Sequence, residues 1–507
     1  MRLVVPFVIL LLTLTSCFEP EPPLEGFVIV GASVIDGGRG VPRDVNVHVD
    51  GDVIANIFTE EPPVELTRVA AHGLTLAPGF IDTHSHGDSH LEELPDALAA
   101  VSQGITTIIV GQDGGGPFPL KDFFAHFEAS PAAVNIASFA GHGNLRREIL
   151  GDGYQRAATN DEVQAMRELL IGEMTAGALG LGTGLEYDPG IYASTEEVVT
   201  LAREARSWGG RYVSHLRSED RDFWEAVGEI ISIGREADIP VHISHIKLAM
   251  TSMWGRAEPL LARLEDARDS GLQVSADIYP YTYWQSTLTV MFPDRDYDNR
   301  EAATFAVTEI STPGGMRIAR YKPEPSYEGK TLAEISTIRR QSPEATLRAL
   351  IKDAERMRAA GETDVESVIA TSMDESDIAQ LMAWRFTNIG SDGELDGAHP
   401  RGFGTFPRFF GRYVRERNVV SLTDAVRKTS GLAAENMGIT ERGRIAPGQK
   451  ADLVLFDPAT IIDFATPNDP HAQSAGIETV WVNGVVVFEH GSSTGERPGQ
   501  LVRRGPE

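Results

Sequence analysis

The stretch PGFIDTHSHGD, residues 78–88, places two imidazoles one residue apart at the end of an apolar run. Residues two apart on an extended chain point to the same side, so His84 and His86 can both reach one cation. Two later apolar runs end the same way, RYVSH at His215 and VHISH at His245. A single histidine in either place fits a core position as well as a ligand position. Their matched placement, one repeat apart, sets them at the same height on neighbouring strands and favours the ligand reading. A further apolar run, TNIG, leads into Ser391-Asp392-Gly393. Asp392 is either a turn residue before glycine or a carboxylate that binds an ion or takes a proton from its water. The chemistry this set suits is metal-assisted hydrolysis.

The elements that must hold these groups follow from their spacing. Glu186, His215, His245 and Asp277 end successive strand-like runs at intervals of 29, 30 and 32 residues, the length of a βαβ unit. Helices fill the intervals. In STEEVVTLAREARSWGG, Ser194 is the expected N-cap, Glu197 closes a capping box and Gly209-Gly210 stops the helix. In LLARLEDARDSG, Leu260, Leu261 and Leu264 share one face. This cadence predicts an α/β fold, a distorted (β/α)8 barrel, whose active sites lie at the C-terminal strand ends. A doubly wound sheet is the alternative, but no Gly-rich dinucleotide fingerprint follows an early strand. Near the N-terminus, Val45, Val47 and Val49 alternate with polar residues ahead of an Asp50-Gly51 turn. ETVWVNGVVVFEHG repeats the pattern around Asn483-Gly484 near the other end. One small β-sandwich domain made from both termini, 26–76 and 441–507, is expected around a barrel at 77–440. Over about 295–372 the cadence is lost. SYEGKTLAEIS and SPEATLRALIKDAERMRAA predict extra helices in an insertion over the barrel mouth, a lid; the same stretch also fits a pair of ordinary barrel repeats.

The chain has 507 residues and a net charge of −28, with 42% hydrophobic and 23% charged residues. Such a charge argues against nucleic acid as a partner, because phosphate binding needs a basic surface. Residues 1–17, MRLVVPFVILLLTLTSC, have a short apolar run after one arginine and predict a signal peptide. Leu14-Thr15-Ser16-Cys17 resembles a bacterial lipobox, in which the cysteine is acylated. Cys17 is the only cysteine, so it has no disulfide partner within the chain. The Pro-rich acidic residues 18–25 would serve as a tether. An exported protein on the periplasmic face of a bacterial membrane, touching it only through an N-terminal lipid, is expected; the alternative is a plain cleaved signal.

The segments GITTIIVGQDGG, GALGLGTGLEYDPGIYAS, YVSHLRSE, HISHIK, DIYPYT, IGSDG, HPRGFGTFPRFFGRYVRE and GRIAPGQKADLVLFDP together resemble the N-acyl-D-amino-acid deacylases of the amidohydrolase superfamily. THSH alone is a superfamily feature, whereas GLEYDPG with SHLRSE and HISHIK is specific to this branch. The resemblance implies a metal-dependent hydrolase that cleaves the amide of an N-acyl-D-amino acid to a carboxylate and a free D-amino acid. It implies one or two zinc ions, other divalent metals being an option. His84 and His86 would face one metal position and His215 and His245 a second, with Asp392 as proton shuttle and ligand. Where the family usually has GNCG with a ligating cysteine, this chain has Gly111-Gln112-Asp113-Gly114, so Asp113 takes the thiolate's place with a harder oxygen donor, or opens the Gly-rich loop as a turn residue. Tyr187, Lys247, Ser286 and Arg401 stand at the family's substrate-carboxylate positions, where Arg offers a planar fork and Lys a point charge. Arg401 alternatively pairs with Glu394 or Asp396, and Ser286 lies in a segment one residue longer than the family's. Rival readings are a dipeptidase acting on L-Xaa-D-Xaa, a cyclic amide hydrolase of the dihydroorotase or hydantoinase kind, and a metal-binding lipoprotein without catalysis. The cyclic-amide relatives often carry a bridging lysine, and neither GTGLEY nor YVSHLRSE supplies one.

Overall fold

The computed structural model describes residues 25–504. The expected signal segment with Cys17, and nearly all of the tether, lie outside the described residues. Eight parallel strands follow one another in chain order: β1 Phe80–Asp82, β2 Ile105–Val110, β3 Asn135–Ser138 continued by Ala140–Gly141, β4 Gly180–Gly184, β5 Arg211–His215, β6 Val241–Ile243, β7 Val274–Ile278 and β8 Thr387–Ile389. Every sequential pair is in parallel register, from Phe80 opposite Ile105 to Ile278 opposite Ile389. The ring is completed just past the strand ends. A parallel bridge joins Ser85 to Gly393, His86 N donates to Gly393 O at 2.9 Å, and Asp392 N donates to His84 O at 2.7 Å. The closing seam therefore runs through the residues that carry the candidate chemistry. Strands buried on both faces read as continuous apolar runs, and β2 (ITTIIV) is buried throughout.

Helices pack outside, as the cadence predicts. Thr195–Ser207 begins at Ser194, whose side chain accepts from Glu197 N at 3.2 Å, and buries Val198, Leu201, Ala202 and Ala205. The expected capping box is not made. The Glu197 carboxylate turns inward instead, 2.8 Å from His142 Nε2 and 2.5 Å from Arg146 Nη1. A buried guanidinium needs its counter-charge more than an N-cap amide that water can reach. His142 starts the helix His142–Leu150 and is fully buried there.

The two termini share one small domain. A seven-stranded sheet runs from Ser492–Ser493 through Val485–Glu489, Ile477–Val482 and Leu453–Phe456 to Thr75–Pro78, Ser33–Val34 and Arg43–Asp44. A four-stranded sheet, Val53–Phe58, Asn46–Asp50, Phe27–Val30 and Thr67–Ala70, packs on it. Ile29, Val47, Ile54, Leu76, Leu453 and Trp481 form the core between them. The hairpin at Asn483-Gly484 takes positive φ at both residues, 48° and 78°, which the Asn-Gly pair tolerates. The passage from this domain into the barrel lies at Gly79.

Between β7 and β8 the chain makes one long excursion that contributes no barrel strand, since β7 pairs directly with β8. It contains the expected helices Leu332–Arg339 and Pro343–Ala359, but also an antiparallel sheet the sequence did not announce, in the order Tyr283–Ser286, Glu366–Thr371, Met316–Tyr321. Its strands meet from positions far apart in the chain, so no local turn signal marks the pairing.

Candidate metal centre

Each candidate group sits just beyond a strand end. His84 and His86 follow β1, held extended by the Ser85 N to Ile109 O bond of 3.0 Å. Asp113 lies in the loop after β2. That loop is pressed against β4 where only glycine fits, because a Cβ on Gly184 would stand 2.1 Å from the Asp113 carbonyl oxygen. His215 ends β5, His245 follows β6 and Asp392 follows β8. Three of these residues hold left-handed backbone: Asp113 at φ 54°, His245 at 35° and Asp392 at 52°. Such conformations cost of order 1–3 kcal/mol each and persist where the surrounding structure imposes them, commonly at functional sites.

The ligand atoms converge in two groups that share one carboxylate. His84, His86, Asp113 and Asp392 present atoms within 4.8 Å of one another, and Asp113, His215 and His245 do the same. In the first group His84 Nε2 lies 3.6 Å from Asp113 Oδ1 and 3.5 Å from Asp392 Oδ1; His86 Nε2 lies 3.5 Å from Asp113 Oδ2 and 3.1 Å from Asp392 Oδ1. In the second, His245 Nε2 is 3.5 Å from Asp113 Oδ1 and 3.0 Å from His215 Nδ1. A tetrahedral ion with bonds of about 2.0–2.2 Å sets its ligand atoms about 3.3–3.6 Å apart; the four separations of 3.5 and 3.6 Å fall in that range, and those of 3.1 and 3.0 Å lie just below it. The donor chemistry fits too. His84 is fully buried, yet neither of its nitrogens, nor Asp113 Oδ1, has a hydrogen-bond partner. Buried polar atoms are rarely left so, and a cation at the shared focus would satisfy His84 Nε2 and Asp113 Oδ1, while His84 Nδ1 faces Asp277 on the far side.

The electrostatics agree. Burial alone would make His84 hard to protonate, but the Asp113 and Asp392 carboxylates override it and hold its pKa well above the usual value. His86 is likewise pushed up to about 10, burial being outweighed by its hydrogen bonds to Asp113 and Asp392. Without an ion the acids draw protons onto the imidazoles; a divalent cation supplies the same positive charge. Burial would raise the Asp392 pKa, but Arg401, His84 and His86 hold it far below the ordinary range, so it stays a carboxylate at neutral pH.

An outer ring escaped the reading of strand ends. His215 Nε2 lies 2.8 Å from Glu186 Oε2, and His245 Nδ1 lies 3.1 Å from Glu219 Oε1 and 2.9 Å from Lys247 Nζ. Asp277 Oδ1 accepts from His245 N at 2.8 Å, while its Oδ2 lies 2.9 Å from His242 Nε2 and 3.7 Å from His84 Nδ1. Glu186 and Asp277 marked strand ends in the cadence, which was the available signal for both; Glu219, in the loop after β5, gave none.

The substrate-side candidates divide. Tyr187, Lys247 and Ser286 line one cavity together with His245 and Asp392. Arg401 starts the helix Arg401–Arg408 and pairs with neither Glu394 nor Asp396. Its Nη1 donates to Asp392 Oδ2 at 2.5 Å, and its guanidinium lies 5.1 Å from the Tyr279 ring.

A sequence profile of the amidohydrolase family matches residues 68–311 and 331–488. Three proteins of Alcaligenes xylosoxydans xylosoxydans are each 35% identical to the chain: D-aminoacylase over 94% of this chain and 97% of its own length, N-acyl-D-glutamate deacylase over 94% and 96%, and N-acyl-D-aspartate deacylase over 97% and 97%. Among solved structures, a D-aminoacylase with a binuclear metal centre superposes with a TM-score of 0.83 at 35% identity, covering 94% of this chain and all of the other. N-acyl-D-glutamate deacylase from Bordetella bronchiseptica, complexed with zinc and a phosphonate mimic of the tetrahedral intermediate, gives 0.84 at 34%, covering 94% and 99%. With the barrel, the two-terminus β domain and the strand-end histidines in place, the chain belongs to the amidohydrolase family, in the branch of the N-acyl-D-amino-acid deacylases.

Proposed function

We propose that the protein is a zinc-dependent hydrolase that cleaves the amide of N-acyl-D-amino acids, releasing a carboxylate and a free D-amino acid. The observation that carries this reading is Asp113, a half-buried carboxylate whose Oδ1 is buried and unpartnered, standing between His84, His86 and Asp392 on one side and His215 and His245 on the other. These six residues would hold one or two zinc ions. When bound, zinc polarises the amide carbonyl and makes water acidic enough to attack at neutral pH. Asp392, kept ionised, accepts the proton of the attacking water and delivers it to the departing amine, which leaves poorly unless protonated. Arg401 fixes the Asp392 carboxylate from its other oxygen. Tyr187, Lys247 and Ser286 receive the substrate's α-carboxylate in the adjoining cavity. Lys247 stays an ammonium: burial opposes this, but Glu219 beside it prevails. Release of free amine from N-acetyl-D-amino acids, and none from the L-enantiomers, is the expected result for the zinc-loaded protein; release from L-substrates alone would discard the branch's chemistry while keeping the metallohydrolase.

We also infer export and acylation at Cys17, supported by the apolar run and lipobox of residues 1–17. No helix among the described residues is long and apolar enough to cross a membrane. Cys17→Ser should shift the protein from the membrane to the soluble fraction of the host; unchanged membrane association would sink this reading.

A further inference from the structure

Two of the three Alcaligenes relatives are named for an acidic amino acid, glutamate or aspartate, and the third for no particular side chain; equal identities do not choose among them. The cavity beside the metal centre does. Its wall includes Trp284, Val290, Met291 and Ile310, all supplied by the excursion between β7 and β8. Ile310 closes a one-turn π-helix, Ala306–Ile310, an irregularity that often marks a functional wall. The only lysine or arginine among the described residues lining this cavity is Lys247, and its ammonium already lies 2.5 Å from Glu219. The nearby arginines are committed elsewhere, Arg401 to Asp392 at 2.5 Å and Arg295 to Asp188 at 2.8 Å. Tyr279, whose buried hydroxyl has no partner, offers a neutral donor that cannot balance a charge.

The acids on the wall do not call for a cationic ligand, because each has its own partner. Glu186 holds His215, Glu219 holds Lys247, and Asp220 accepts from Ser218 Oγ at 2.8 Å and from Arg221 N at 2.6 Å. A substrate's α-carboxylate uses the one cation. A second carboxylate would meet apolar carbon and the carboxylates of Glu186, Glu219, Asp220 and Asp392, with no counter-charge.

We propose that the site selects D-amino acids with neutral, apolar side chains and excludes acidic ones. The proposal rests on the deacylase reading. An uncompensated charge against apolar carbon costs more than a missing methylene, so kcat/KM for N-acetyl-D-methionine should exceed that for N-acetyl-D-glutamate at least about 100-fold.

The test is that ratio for the zinc-loaded wild-type protein, with N-acetyl-D-lysine as a third substrate. A ratio near or below one, or a preference for the lysine derivative, overturns the proposal and leaves the deacylase reading intact. If no substrate is turned over, the deacylase reading fails, and binding decides the pocket: a larger melting-temperature rise with free D-methionine than with D-glutamate or D-lysine upholds it, and any other order overturns it. Val290 is half-buried, so Val290→Lys can place a second ammonium at the wall. In a folded variant the methionine-to-glutamate ratio should fall about tenfold or more. An unchanged ratio there overturns the proposal; if the variant does not fold, the wild-type ratio decides alone.

Discussion

The two flanks of the metal centre are built differently. On the His215–His245 side, the nitrogen turned away from the shared focus meets a carboxylate in each ring, Glu186 at 2.8 Å and Glu219 at 3.1 Å. On the other side, the far nitrogen of His84 has only Asp277 at 3.7 Å, beyond hydrogen-bonding distance. A carboxylate behind an imidazole fixes its orientation and raises its basicity as a ligand. The second flank is therefore pre-organised, while the first depends on the carboxylates it shares, Asp113 and Asp392. The expectation is one tightly held ion on the His215–His245 side and a weaker one at His84–His86.

The largest expected effect separates chemistry from binding. Asp392→Asn should lower kcat by about 10³ or more, yet leave the ion of the second flank in place, as elemental analysis after gel filtration would report. Near-normal turnover would remove Asp392 from the proton path. Next, His245→Ala should cost the tight ion, whereas His86→Ala should leave about one zinc per chain; equal losses would abolish the distinction between the flanks. More finely, Glu186→Gln keeps the shape but removes the charge behind His215, and zinc affinity measured by chelator competition should weaken about 10- to 100-fold. The smallest effect is a proton count. His86, pushed up to about 10 in the ion-free site, carries a proton at neutral pH that zinc must displace. Affinity should thus fall as pH falls, by about tenfold per pH unit for each proton displaced. Calorimetric titration in two buffers of different ionisation enthalpy reads that number directly, and zero release would contradict the charge balance drawn for the first flank.

Much of the centre was legible because apolar strands must end somewhere, and a histidine or aspartate at matched intervals past those ends is visible as spacing. His84, His86, His215, His245 and Asp392 are visible in this way. Asp113 is visible only through family likeness, since an aspartate before glycine looks like any turn. Glu219 carries no such mark, because its partners arrive from another strand, and Arg401 has Glu394 and Asp396 as near neighbours in the chain although Asp392 is the acid it reaches. The same holds for Glu197: the local capping pattern was sound, but a buried arginine from another helix took the carboxylate.

The sequence by itself determined the periodic parts: eight parallel strands with their helices, a β domain drawn from both ends, and imidazoles at the barrel mouth. These follow from patterns only a few residues long, repeated along the chain. Tertiary structure alone decided what depends on distance across the fold. It closed the ring through Ser85 and Gly393, gave Asp113 to both halves of the centre, assembled a sheet from strands at 283–286, 316–321 and 366–371, and brought that excursion over the cavity as an apolar wall. Each rests on the pairing of groups remote in sequence, whose partners are set by the packing of the whole barrel rather than by any neighbouring residue.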